Sequence, residues 1–158
     1  AAHEIKKSYP DVEFHICGYC EEDYKAAIKE KALSGEVIYH GLVDDVKLYE
    51  EKCHCVVLPS FHPEGVSNVL LEGAACARPL ITTDHAGCKE TVTDGVTGYI
   101  VRQRDSNDLI DKMLRFINLS YDVKVQMGFA GRKKIEEELD RKIVVDAYMK
   151  EIRTIMGD

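Results

Sequence analysis

Apolar residues in this chain fall into two rhythms, short runs that stop at glycine, proline or serine and longer stretches that recur every three to four positions. Val12-Glu13-Phe14-His15-Ile16-Cys17-Gly18 alternates as a strand does and ends at glycine, and Val37-Ile38-Tyr39-His40-Gly41 gives the next strand and its exit. Cys55-Val56-Val57-Leu58 is an unbroken apolar run closed by Pro59-Ser60, the pattern of a strand buried on both faces. Leu80-Ile81-Thr82-Thr83 follows Pro79 in the same way.

The longer period predicts the helices. Residues 1–8 read as the end of a helix, with Pro10-Asp11 as its turn, and 21–33 as a polar-faced helix. Asp44 or Asp45 caps a short helix reaching about residue 51. Ser67 or Asn68 caps another, with 69–77 as its body and Pro79 as its stop. After Val101 the chain turns helical, from Ser106 or Asn107 to about 119, then over 123–139, then from Asp140 with Ile143, Val144, Ala147, Tyr148, Ile152 and Ile155. Strands alternating with helices predict an α/β fold, a doubly wound Rossmann-like parallel sheet with a helical C-terminal tail.

Composition narrows this picture. The 158 residues, 45% hydrophobic and 31% charged, suit one globular domain over 1–158. A formal charge of −7 offers nucleic acid no general attraction, so no nucleic-acid partner is expected. No run approaches the roughly 20 apolar residues of a membrane span. Of the six cysteines, Cys17, Cys55, Cys76 and Cys88 lie in or beside apolar segments, where free cysteine packs as a small hydrophobe. Cys17-Gly-Tyr-Cys20 matches half of a redox or zinc motif, but Cys53-His54-Cys55 has the wrong spacing for the second half. Reduced thiols in a cytoplasmic protein are the expectation, with no metal and no cofactor.

Two carboxylates give the stretch 55–84 its chemistry. Glu64 lies in the loop beyond the strand at 55–58, and Glu72 lies within a helix of small and apolar residues, where a glutamate is expected to be buried and either paired or ligand-bound. Between them, free N–H groups at the helix start form an anion site suited to a phosphate. A ligand with hydroxyls at both ends and a diphosphate between them fits, which describes a nucleotide sugar.

Glu64-Gly65-Val66-Ser67-Asn68-Val69-Leu70-Leu71-Glu72 resembles the paired-glutamate motif of the retaining group 1 glycosyltransferases of GT-B fold, in wording closest to bacterial surface-polysaccharide transferases. Pro59-Ser60, Ala75-Cys76-Ala77-Arg78-Pro79, Thr82-Thr83-Asp84, Gly87-Cys88-Lys89-Glu90 and Asp94-Gly95-Val96-Thr97-Gly98-Tyr99-Ile100-Val101 extend the match. The resemblance implies a hexosyltransferase-type enzyme of polysaccharide biosynthesis. It would move a sugar, UDP-linked by preference, from a nucleoside-diphosphate donor to a glycan or lipid-linked acceptor, without a metal.

Residue by residue, the resemblance makes Glu64 the catalytic carboxylate at the donor sugar and Glu72 the partner of the ribose hydroxyls. Gly65, Val66, Ser67, Asn68, Val69 and Leu70 contact sugar and phosphate through backbone N–H groups. Gly41, Leu42 and Val43 hold the base. His40 and His62 tempt as acid–base groups, Asp44-Asp45 as a metal pair, and Arg78 as the partner of the last helix carbonyls; capping explains the aspartates better.

The family's donor domain opens with a strand ending in Gly-Arg and a Lys-Gly loop that bind the diphosphate, and nothing here matches either. The expectation is a donor domain without its first strand and without the N-terminal acceptor domain, inactive alone, that missing domain being its partner and its peripheral contact with the inner membrane. The first strand would lie between the strands at 12–18 and 54–58, with a second copy or direct pairing as ways to close the sheet without it. In the family the last helix crosses to the missing domain, which would leave the face at 143–155 partly exposed. The alternative is a non-catalytic nucleotide-binding module of the same fold. A nicotinamide enzyme is disfavoured, because Cys17-Gly18-Tyr19-Cys20 lacks the three-glycine turn.

Overall fold

A computed structural model of the chain describes residues 1–62 and 65–157. Strands and helices alternate as far as β4, after which only a 3₁₀ turn at Lys89–Thr91 precedes a strand the pattern did not predict: α1 (Ala2–Ser8), β1 (His15–Cys17), α2 (Glu22–Leu33), β2 (Ile38–Gly41), α3 (Lys47–Glu50), β3 (Val56–Leu58), α4 (Asn68–Ala75), β4 (Leu80–Thr83), β5 (Gly98–Val101), α5 (Ser106–Ile117), α6 (Tyr121–Glu138) and α7 (Arg141–Met156).

The strands form two parallel sheets, β1–β2 and β3–β4–β5. The two candidate neighbours of the expected central strand, β1 and β3, do not pair with each other, so direct pairing across the gap is not how this chain is built. β4 is the most buried strand. Its Leu80 packs with Leu70, Ala74, Cys88, Val92 and Ile135, and its Ile81 with Ile5, Val101, Met113, Phe116 and Met127. Alternate side chains thus enter two cores, as in a sheet covered on both faces.

Two close approaches hold these layers. A Cβ at Gly98 would stand 1.9 Å from the Leu80 carbonyl oxygen, and one at Gly128 would stand 2.0 Å from that of Ala77. Only glycine lets β5 and α6 come so near. α4 ends in a double back-bond, Ala77 N–H to Ala74 O and Arg78 N–H to Gly73 O, with Ala77 in the left-handed region at φ 54°.

Helix starts differ from expectation by one or two residues. α5 is capped by Asp105, whose carboxylate accepts from Asn107 and Asp108 N–H, rather than by Ser106 or Asn107. Ser120 caps α6, and Asp140 caps α7 as expected. α7 buries no residue; Ile143, Val144, Val145, Tyr148, Met149, Ile152, Ile155 and Met156 all stand exposed along it. Among the described residues no helix is long and apolar enough to cross a membrane.

Candidate donor site

The site is built where β3 hands over to α4. Two buried threonines of β4 hold the exit of β3: Thr82 donates its hydroxyl to Leu58 O at 2.9 Å, and Thr83 donates to Ser60 O at 2.5 Å. Pro63 and Glu64 lie outside the described residues, so the expected catalytic carboxylate has no place in this geometry. The chain is anchored again at Ser67, which is buried and donates its N–H to Gly87 O at 3.2 Å. Gly87 is itself fixed, because its N–H donates to the Glu90 carboxylate at 2.7 Å.

Ser67 is the residue before α4, in extended conformation, and its hydroxyl makes no capping bond. Leu71 N–H is the first to bond back into the helix, to Ser67 O at 3.1 Å. Asn68, Val69 and Leu70 therefore present their N–H groups at the helix start with no partner among the described residues. Gly65, Val66, Asn68 and Val69 are exposed around this end. Leu70 is not; its side chain is fully buried in the core, leaving only its backbone to face a ligand.

Glu72 is exposed, against the expectation of a buried glutamate. The helical period explains the difference. Leu70, Gly73 and Ala74 form the inward face, with Gly73 against Val56 and Leu80, whereas Glu72 shares the open side with Asn68, Val69 and Ala75. Its charge is nonetheless felt below. Glu50 of α3 is buried at 5% exposure, and its Oε2 accepts the Cys76 thiol at 3.5 Å. Burial pushes the Glu50 carboxyl up, the Cys76 thiol opposes this, and the charges of Glu72 and Asp45 push it further up. Glu50 was not legible as a site residue: in sequence it is one more charged position on a short helix.

The second flank is the exit of β2. Gly41 turns the chain at φ 69°, a conformation that favours glycine; Leu42 beyond it is largely exposed and Val43 half-buried. Val46, not Asp44 or Asp45, directly precedes α3, although the Asp45 carboxylate accepts from Lys47 N–H at 3.0 Å. Arg78 fills its expected role, donating Nε to Cys76 O at 3.0 Å, and it reaches Cys53 O through Nη1 at 3.1 Å as well. His40 is engaged with His15, Nε2 to Nδ1 at 2.9 Å, and lies against Tyr49; His62 is exposed, its ring tilted against that of Phe61. Among the described residues no three histidine, cysteine or acidic side chains converge as metal ligands.

Residues 1–118 match the family model described as glycosyl transferases group 1. The chain belongs to this family. Among curated relatives, the capsular polysaccharide biosynthesis glycosyltransferase CapM of Staphylococcus aureus is 32% identical over 108 residues, 68% of this chain and 28% of that protein. The N,N'-diacetylbacillosaminyl-diphospho-undecaprenol alpha-1,3-N-acetylgalactosaminyltransferase of Campylobacter jejuni is 27% identical over 138 residues, 87% of this chain and 36% of that one. This group 1 glycosyltransferase chain thus spans about a third of the length of these relatives or less. Its fold is shared with Anabaena Alr3699/HepE, solved in complex with UDP, at a TM-score of 0.80 and 19% identity, covering 99% of this chain and 44% of that one. The α/β architecture with parallel sheets and a helical C-terminal segment is that of the GT-B glycosyltransferases.

Proposed function

We propose that this chain supplies the donor site of a retaining glycosyltransferase, which moves a hexosyl or N-acetylhexosaminyl group from a UDP-linked donor to a glycan or lipid-linked acceptor. The observation that carries this is the start of α4. Three adjacent N–H groups, at 68–70, have no partner among the described residues, and the exposed Glu72 carboxylate lies on the same helix. Partial positive charge at a helix start, with an acceptor-only carboxylate about a turn beyond, suits a diphosphate joined to a ribose.

In this reading Glu72 accepts hydrogen bonds from the ribose hydroxyls, and the turn at Gly41-Leu42-Val43 holds the base through backbone groups. Glu64 acts at the sugar. As the glycosidic bond breaks, negative charge grows on the diphosphate, and the amides at 68–70 meet it. No metal takes part in this reading, so a chelator leaves nucleotide binding unchanged. The names of relatives support the substrate class: capsular polysaccharide in one, transfer of N-acetylgalactosamine to a diphospho-undecaprenol-linked sugar in another, and UDP bound in a protein of the same fold.

The reading includes further sequence, because this chain spans only part of its relatives. An acceptor domain, and a strand seated between β1 and β3 that brings an arginine and a lysine to the diphosphate, complete the site. Alone, these 158 residues bind nucleotide weakly and turn over no sugar.

Calorimetric titration of the chain with UDP, GDP and ADP, repeated on Glu72→Ala, tests the reading. The expected result is binding of UDP in preference to the others, lost in the variant. A folded chain that binds none of the three, both alone and within the full-length protein, overturns it.

A further inference from the structure

The turn at Gly41-Leu42-Val43 runs from β2 to α3, and two side chains close its neck. His40, the residue before Gly41, lies against Tyr49 of α3, with ring centroids 4.6 Å apart and planes tilted by 55°. Residues 41–48 thus leave from and return to one contact.

His40 is also the residue that the β1–β2 ladder passes over. His15 pairs with Ile38, Ile16 with Tyr39 and Cys17 with Gly41, which leaves His40 as the extra residue of a bulge. Backbone bonding resumes beyond it, where Gly18 N–H donates to Gly41 O at 2.8 Å. At the skipped position a side chain supplies the link instead, since His40 Nε2 stands 2.9 Å from His15 Nδ1.

The two ring centroids are 5.2 Å apart and the planes only 4° off parallel, so the imidazoles meet end to end, nearly in one plane, and not one over the other. That is the geometry of an N–H···N hydrogen bond. Chelation of one cation would instead turn both lone pairs towards a third point. The direction of the bond follows from Glu13. Its carboxylate lies 3.0 Å from His15 Nε2 and only accepts, so His15 carries a proton there and, when neutral, leaves Nδ1 bare. His40 therefore donates from Nε2. Among the described residues, the other titratable groups in hydrogen-bond or ring contact with the pair are Glu13, ahead of β1, and Tyr49, on α3.

Resting on the donor-site reading above, we propose that His15 and His40 are positioning residues for the turn at Gly41-Leu42-Val43: their hydrogen bond spans the bulge and ties the neck of that turn to β1. The strands here are short, three residues in β1 and four in β2, and α2, which follows β1, buries none of its residues. With so little packing behind it, one directed hydrogen bond decides much of where the turn stands. The pair reaches the nucleotide only through the turn. The bond also needs one bare nitrogen between the two rings. When both imidazoles are protonated, each facing nitrogen carries a proton, two cations meet, and the tie opens.

The test compares four variants with the parent chain. His40→Phe keeps a ring against Tyr49 but cannot donate, and His15→Val removes the acceptor. The double variant combines them. His40→Gln keeps an N–H donor where Nε2 stands and does not titrate. Amide hydrogen exchange at Gly18, whose N–H is bonded to Gly41 O, reads the hold on the turn without any ligand. Near neutral pH, His40→Phe and His15→Val are each expected to speed that exchange about two- to ten-fold and to weaken UDP binding by the same factor. The double variant should be no worse than either single one, and His40→Gln should match the parent. From neutral pH down to about pH 5 the parent should lose UDP affinity relative to His40→Gln, a ratio in which the titration of the diphosphate itself cancels. Unchanged Gly18 exchange in folded His40→Phe or His15→Val protein overturns the proposal. So do additive losses in the double variant, His40→Gln losses equal to those of His40→Phe, a ratio that stays flat across pH, or faster exchange with UDP affinity unchanged. A parent chain that binds no UDP counts against the donor-site reading alone, because Gly18 exchange still decides whether the histidine pair holds the turn.

Discussion

The Glu50 carboxyl accepts the Cys76 thiol at 3.5 Å, in a buried position that also lies in the field of the exposed Glu72 carboxylate. Burial raises the folded pKa of Glu50 above its unfolded value, so the folded state holds its proton to higher pH than the unfolded state does. The stabilisation is full below the ordinary glutamate pKa and is lost as pH rises through the raised one. Glu50→Gln, which keeps shape and hydrogen bonding without charge, should raise the melting temperature by about 2–4 °C at pH 8. The gain should fade towards pH 4.5. Thermal denaturation of both proteins across that range checks it, and a gain independent of pH would refute the account.

The Glu72 carboxylate makes no hydrogen bond or ion pair among the described residues and stands exposed on α4. Glu72→Ala should therefore leave stability within about 0.5 kcal/mol of the parent. Nucleotide affinity should fall about ten-fold or more, as expected when a charged hydrogen-bond acceptor is removed. Chemical denaturation and calorimetry on the same preparation separate the two effects.

Gly98 and Gly128 leave no room for a side chain, a Cβ at either meeting a backbone carbonyl, Leu80 O or Ala77 O. Neither carbonyl can move without tearing a strand pairing or the end of α4. Gly98→Ala and Gly128→Ala should each cost about 3 kcal/mol or more. Urea denaturation, or loss of soluble expression, reports it.

Ala77 offers the opposite change. It occupies the left-handed position that ends α4, at φ 54°, with both back-bonds of the motif in place. Ala77→Gly should stabilise the protein by about 1 kcal/mol, since the contact with Gly128 is through the Ala77 carbonyl and not its methyl group. A rise in the denaturation midpoint is the expected signal.

Much of this fold was legible because its signals were local. Pro79 before Leu80-Ile81 and the closing threonines marked β4 to the residue, and Asp140 marked the start of α7. β1 is shorter than the alternation over 12–18 implies, since only the residues that find partners on β2 form strand. Asp105, Ser106 and Asn107 are all good capping residues, and pattern alone could not choose among them. The exposure of Glu72 was misjudged for a tertiary reason. A helix of small residues looks buried all round, yet among the described residues α4 fully buries only Leu70, Gly73 and Ala74. Glu50 carried no local signal at all, because its burial comes from the seating of α3 against α4. Glu64, the residue on which the expected chemistry turned, lies outside the described residues.

α7 gives its eight exposed apolar side chains nothing to stand on, and this governs how copies of the chain treat one another in solution. A formal charge of −7 keeps molecules apart at long range, but only as far as the salt allows. As ionic strength rises the repulsion shrinks to less than a helix diameter, while the attraction between oily stripes does not weaken. Charged residues placed along a helix that buries none of its residues would weaken that attraction without removing a core contact.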